Sequence, residues 1–166
     1  MKRRDIVFGL IVLVILAGVI YIRQRTSRPV EETRVPETLS SEETFEDKFN
    51  IQIPDNVDKA ELKDVSGGNG SGLATRKFEN NTFTHSVLVD LPDPQQGSFY
   101  EAWLVRDEEG SDDFSVISTG KLRLAKGGWT LDFQGANDLS DHSKAVVSLE
   151  KTFDKTLESK VLEGSF

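Results

Sequence analysis

From Thr82 to Leu91 the chain alternates with a period of two. Phe83, His85, Val87, Val89 and Leu91 stand on one side; Thr82, Thr84, Ser86 and Asp90 stand on the other. Successive side chains of an extended strand point to opposite faces, whereas one face of a helix recurs every 3.6 residues, so this stretch can only be a half-buried strand. Leu88 alone interrupts the polar row. The same pattern returns in Trp129, Leu131 and Phe133 against Thr130, Asp132 and Gln134. It returns again in Ala145, Val147 and Leu149 against an outward-facing Ser148 and Glu150. Segments near 59–65, 73–78, 99–105, 114–124 and 161–166 complete about eight strands. The breaks between them are rich in Gly, Asp and Pro: SGGNGSG, DPQQG, DEEGSDD and AKGG. Only 136–143 has a helical look. Many short strands with short links predict an all-β domain over 50–166, an antiparallel β-sandwich of about eight strands or a small barrel.

One strand differs from the rest. Pro92 and Pro94 end the preceding strand because proline cannot donate to a ladder, and Gly97 permits a turn. FYEAWLV then carries apolar residues on both faces except at Glu101. That composition predicts a central strand covered on both sides, with Trp103 as a core pillar whose indole N–H needs one partner. Ligand stacking on Trp103 is the alternative.

The N-terminal part follows different rules. Residues 6–22 are seventeen in a row without a charge, mostly Ile, Val and Leu. As a helix they span roughly 25 Å, close to the ~30 Å hydrocarbon core of a bilayer, and flanking Arg4 and Arg23 can snorkel to the interface. This predicts one N-terminal transmembrane helix in contact with the lipid bilayer. A cleaved signal fits less well, because the apolar run continues past Gly18 and lacks a small-residue cleavage site. Basic residues flank the run on both sides, three before it (Lys2, Arg3, Arg4) and three after it (Arg23, Arg25, Arg28). The short 1–5 segment holds no domain, so the expected orientation is a cytoplasmic N-terminus and an extracytoplasmic C-terminal domain. Residues 23–49 are polar and contain two prolines, which predicts a disordered stalk, with a solvated helix over 41–49 as the alternative.

Composition narrows the function. The 166 residues include no cysteine, which removes disulfides, thiolate metal sites and cysteine nucleophiles. The net charge of −8 lies entirely in 50–166, and an acidic domain repels phosphate backbones, so nucleic acid is not an expected partner. SGGNGSG matches no phosphate-binding pattern and reads as a hairpin loop. DEEGSDD (107–113) is acidic enough for a weak cation site but lacks EF-hand spacing, and a solvated turn is favoured. Asp138, Asp141 and His142 form a polar cluster in which capping is favoured over metal ligation. His85 reads as a half-buried structural histidine; catalysis would need a positioned nucleophile and an orienting carboxylate beside it. No catalytic residue, cofactor or metal ligand is therefore assigned, and the chain is expected not to be an enzyme. Asn69 and Asn80 head triplets that match glycosylation acceptors.

LPDPQQGSFYEAWLV, FSVISTGKL and AVVSLEKTFDKTLESKVLEGSF together resemble the extracytoplasmic C-terminal domain of anti-sigma-K-type anti-sigma factors. The matching positions are Leu91, Pro92, Tyr100, Trp103 and Leu104, then Val147 and Glu150. The terminal KTFDKTLES departs from that family's pattern. The resemblance implies the sensor-side fold and a membrane attachment. It does not imply sigma-factor inhibition, because only 1–5 precede the anchor and the family's cytoplasmic sigma-binding domain is missing. The expected role is thus a membrane-anchored, non-enzymatic binding or sensing domain that meets another envelope protein or a surface ligand. The alternatives are a regulatory partner in a split anti-sigma system and a metal-dependent envelope enzyme.

Overall fold

A computed structural model describes residues 41–125 and 127–166. The expected anchor at 6–22 and the stretch 23–40 lie outside the described residues. Within the described residues no helix is long and apolar enough to cross a membrane.

One helix, α1 (Ser41–Phe49), precedes nine strands: β1 (Asp58–Asp64), β2 (Ser71–Glu79), β3 (Thr82–Asp90), β4 (Phe99–Arg106), β5 (Ser115–Lys121), β6 (Arg123–Ala125), β7 (Gly128–Gly135), β8 (Lys144–Glu150) and β9 (Ser159–Ser165). Every pairing is antiparallel, and all nine strands join one sheet in the order β5-β4-β8-β9-β1-β2-β3-β7-β6. The all-β expectation therefore holds. The strands number nine, since the segment expected at 114–124 divides into β5 and β6, and they form one rolled sheet, closer to the small-barrel alternative than to a two-sheet sandwich.

The cause of the rolling is local. β5 and β6 lie at opposite edges of the sheet, yet only Leu122 separates them. Since one residue spans about 3.5 Å, the two edges must come together at that point. Leu122 is buried there, and its N–H donates to Tyr100 O at 2.9 Å. A bulge between Ala102 and Trp103 adds Thr119 to β5 just before Gly120, whose φ of +126° favours glycine. The sheet is nearly closed.

The inside of the roll is the main core: Ala60 and Leu62 of β1, Ala74 of β2, Val87 and Val89 of β3, Tyr100 and Ala102 of β4, Ala145 and Val147 of β8, and Leu162 of β9. The whole predicted apolar row of β3, from Phe83 to Leu91, is buried. The interior is apolar toward Tyr100, where the ring meets Trp129 edge-on at 5.5 Å and the hydroxyl donates to Pro92 O at 3.1 Å.

Two outer faces are also covered. Leu88, the exception in the polar row of β3, sits directly opposite Leu73 of β2. α1 lays Phe45 and Phe49 on this pair, joined by Ile53. The stalk reading is corrected here: 41–49 is a helix, as in the alternative reading, and it packs on the sheet. Asn50, with φ of +53°, ends it in the left-handed region. The second covered face is that of β4 and β8. Trp103, Val105 and Val146 pack there under Leu157 of the β8–β9 connection. Trp103 is buried and its Nε1–H donates to Ser148 Oγ at 2.7 Å, as the pillar reading requires.

Candidate functional site

Opposite the Tyr100 end, the interior of the roll turns polar. Arg76 of β2 is almost completely buried. Its Nε donates to Asp58 Oδ2 at 3.2 Å, its Nη1 donates to His142 O at 2.6 Å, and its guanidinium lies 4.1 Å from the centre of the Phe166 ring. His85, directly opposite Arg76 in the register, is fully enclosed. Thr119 gives its hydroxyl hydrogen to Ala102 O at 3.0 Å, so its oxygen accepts the His85 Nδ1–H at 3.3 Å. His85 Nε2 has no partner. Burial first, and the Arg76 charge second, hold the His85 pKa down to about 4. The imidazole is neutral; its one partner, the Thr119 hydroxyl, is committed to a backbone carbonyl, and it bonds neither a free nucleophile nor a carboxylate.

Both of those groups stand beside the other histidine. His142 Nδ1 lies 2.6 Å from Asp141 Oδ1, and His142 Nε2 lies 3.1 Å from Ser115 Oγ. An ionised carboxylate fixes the Nδ1–H tautomer, which leaves Nε2 to accept the Ser115 hydroxyl. Asp141 Oδ2 pairs with Arg106 Nη1, and that contact does most to hold the Asp141 carboxyl below its usual range. Arg106 Nε also donates to Asp113 O at 2.9 Å. Ser115, His142 and Asp141 thus form a hydrogen-bonded line in which a hydroxyl proton can move to an imidazole held by a carboxylate. Ser115 lines neither of the grooves described below.

The polar cluster expected around 136–143 is only partly brought together. Asp138 instead binds its own turn, accepting from Ser140 N at 2.9 Å and Ser140 Oγ at 2.6 Å. These bonds are the largest cause of its lowered pKa. The helical look of 136–143 is corrected, since the segment is a series of bends and turns. A short polar side chain that binds the backbone two residues on competes with helix formation.

The outer face of β4 and β8 holds a feature that the alternation concealed. Ser148 and Glu150, expected to face outward, are fully buried together with Glu101. The 151–158 connection covers them as a strap. Glu150 Oε1 accepts the Glu158 N–H at 3.0 Å, and the Glu158 carboxylate accepts the N–H groups of Lys151 and Thr152 at 3.2 and 3.1 Å. Next to the strap lies a groove of about 420 Å³. Val116, Val146 and Leu157 give it apolar walls; Lys144, Lys155, Lys160, Glu108 and Glu163 give it a charged rim. Lys144 pairs with Glu108, and Lys160 with Glu163 at 3.2 Å. A second groove of about 430 Å³ lies between Ile53 and Pro54 and the outer face of β3 and β7.

The remaining expected features have ordinary partners. Asp64 organises SGGNGSG, accepting from the N–H groups of Ser66, Gly68 and Gly70 at 2.8, 2.9 and 3.0 Å. The Gly70 and Gly68 bonds do most to lower its pKa. In 107–113, Glu108 is taken by Lys144, and Asp107 has φ of +59°. Among the described residues no three His, Asp or Glu side chains converge as a metal-binding group. Of the missed residues, only Glu101 carried a signal, as the one charge inside an otherwise apolar strand.

Compared with protein-family models, curated proteins and solved structures, the chain matches none of them.

Proposed function

We propose that this chain is a single-pass membrane protein that displays an all-β binding or sensing domain, itself without enzymatic activity, on the extracytoplasmic side. The observation that carries the reading is the uncharged run 6–22, flanked by arginines and followed by a polar segment and then a well-packed acidic domain. A tether of that kind keeps the domain at high effective concentration beside other envelope components. The groove beside the strap suits a protein or peptide partner, with apolar walls to bury an anchor and a charged rim to select it. A regulatory partner in a split system is the alternative, and what supports it is the likeness to the sensor side of anti-sigma-K-type factors. It rests on Leu91, Pro92, Tyr100, Trp103, Leu104, Val147 and Glu150.

Protease added to intact cells should remove the domain while sparing the cytosolic controls. A photo-crosslinking residue at Phe114, on the groove, should then capture one envelope partner reproducibly. Recovery of the intact domain free in the cytosol would overturn the reading.

A hydrolytic reading is favoured by one observation, the Ser115–His142–Asp141 line. A fluorophosphonate probe decides between the two. Labelling at Ser115 that His142→Gln abolishes supports hydrolysis; an unlabelled, folded protein leaves the line as a structural plug in the end of the roll.

A further inference from the structure

Glu101 and Glu150 share the outer face of β4 and β8. In the register Phe99 stands opposite Glu150 and Glu101 opposite Ser148, so the two glutamates are diagonal neighbours. Diagonal positions are about 7 Å apart, within reach of two glutamate side chains. Both residues are fully buried. Each commits one oxygen to one donor: Glu101 Oε1 accepts the Ser118 hydroxyl, and Glu150 Oε1 accepts the Glu158 N–H at 3.0 Å. Each leaves Oε2 buried without a partner. Two anionic oxygens buried without partners are costly, and like charges that share a site repel each other. A proton on Glu101 directed at the Glu150 carboxyl would satisfy both orphan oxygens.

We propose that Glu101 holds a proton directed at Glu150, and that this proton latches the 151–158 strap over the face of β4 and β8. The latch deepens the sensing reading given above and rests on it for the compartment whose pH is sensed.

The surroundings agree. Lys121 of β5 spreads its ammonium over the rings of Phe99 and Phe153, at 3.7 and 4.5 Å. It favours the ionised form of Glu101, while Glu150 and Asp154 of the strap oppose that form. Glu158 of the strap faces Glu150 with its backbone N–H and turns its carboxylate to Lys151 and Thr152. Ser118 and Ser148 contribute hydroxyls only. Burial is the strongest influence on Glu101 and raises its pKa. A raised carboxyl pKa means that the folded chain keeps a proton that the unfolded chain has released. The latch is therefore complete below the unfolded carboxyl pKa and is lost as pH rises through the folded one. Without the proton, two like charges face each other under the strap, and admission of water is the nearest relief. Leu157 belongs both to the strap and to the 420 Å³ groove, so release changes the groove's shape.

Hydrogen–deuterium exchange of 151–158 tests the latch on the full chain in detergent micelles, from about pH 5 to about pH 9, after correction for intrinsic exchange. The wild type should exchange about tenfold faster at the upper end than at the lower. Glu150→Gln gives the pair a permanent N–H donor, so its strap should exchange slowly at every pH, and Glu101→Gln should behave alike. Infrared difference spectra of the wild type should show one protonated carboxyl that titrates together with the exchange step. That second measurement decides the matter if the variants fail to fold. A flat wild-type profile overturns the latch, and so does a step that survives in Glu150→Gln. Protection by micromolar calcium at high pH, without a protonated carboxyl band, also overturns it and makes the pair a cation site. All of this is read on purified protein. Failure of the membrane placement would therefore leave the latch standing, and failure of the latch would leave the placement standing.

Discussion

His85 is a titratable ring enclosed in the core with one partner. Its pKa of about 4 lies below the ordinary 6.5, so between those values the unfolded chain binds a proton that the folded chain refuses. Stability should accordingly fall as pH drops from about 6.5 to about 4, by about 3 kcal/mol over the whole window. His85→Leu fills a similar volume and leaves the Thr119–Ala102 bond in place. Denaturant midpoints measured at neutral and mildly acidic pH should therefore converge in that variant. Ser148→Ala is a second residue-scale case. It orphans the buried Trp103 Nε1–H and should cost about 1–3 kcal/mol at any pH, measured by denaturant unfolding. Trp103 is the buried pillar that its strand composition predicts, whereas His85, expected to be half-buried, is fully enclosed. Glu101 stood out in its strand, but its pairing with Glu150 did not, because 49 positions separate them in the chain.

Among the elements, α1 most changes the picture of the domain. Its sequence is polar apart from Phe45 and Phe49, which is why 23–49 read as a stalk; a helix of this length is marginal alone and persists through packing. The signal for it lay elsewhere, in Leu88, whose presence on a polar face required a cover. Phe45→Ala should cost about 3–5 kcal/mol, and amide exchange in α1 should rise before that of the sheet. The β2–β3 hairpin shows how a turn escapes notice. Asn80 and Asn81 both have positive φ, 51° and 58°, which suits a two-residue connection that follows the twist of the strands. The Asn-Asn pair between two alternating runs is a turn signal in its own right, and Asn tolerates this conformation at modest cost. Replacing both with alanine should lower stability by about 2–4 kcal/mol, measured by thermal or denaturant unfolding.

For the whole molecule, closure depends on the single residue between β5 and β6. Leu122→Ala removes a buried side chain where the sheet edges meet and should cost about 2–5 kcal/mol. The loss should appear as faster amide exchange in β5 and β6, which unzip from the edges inward, ahead of β1 and β2. Two pH effects oppose each other: His85 weakens the fold on acidification, and Glu101 weakens it as pH rises. Replacing either residue should tilt the pH profile toward the other's slope. The sequence by itself determined most of the strands, their inward faces, that β4 is paired and covered on both sides, and the apolar run at 6–22, because alternation and hydropathy are properties of neighbouring residues. Only the tertiary structure decided what covers the outer faces, that the sheet rolls at Leu122, and that Ser115 meets His142 and Glu101 meets Glu150. Those contacts join residues far apart in the chain, and no local pattern records which distant surface will shut water out.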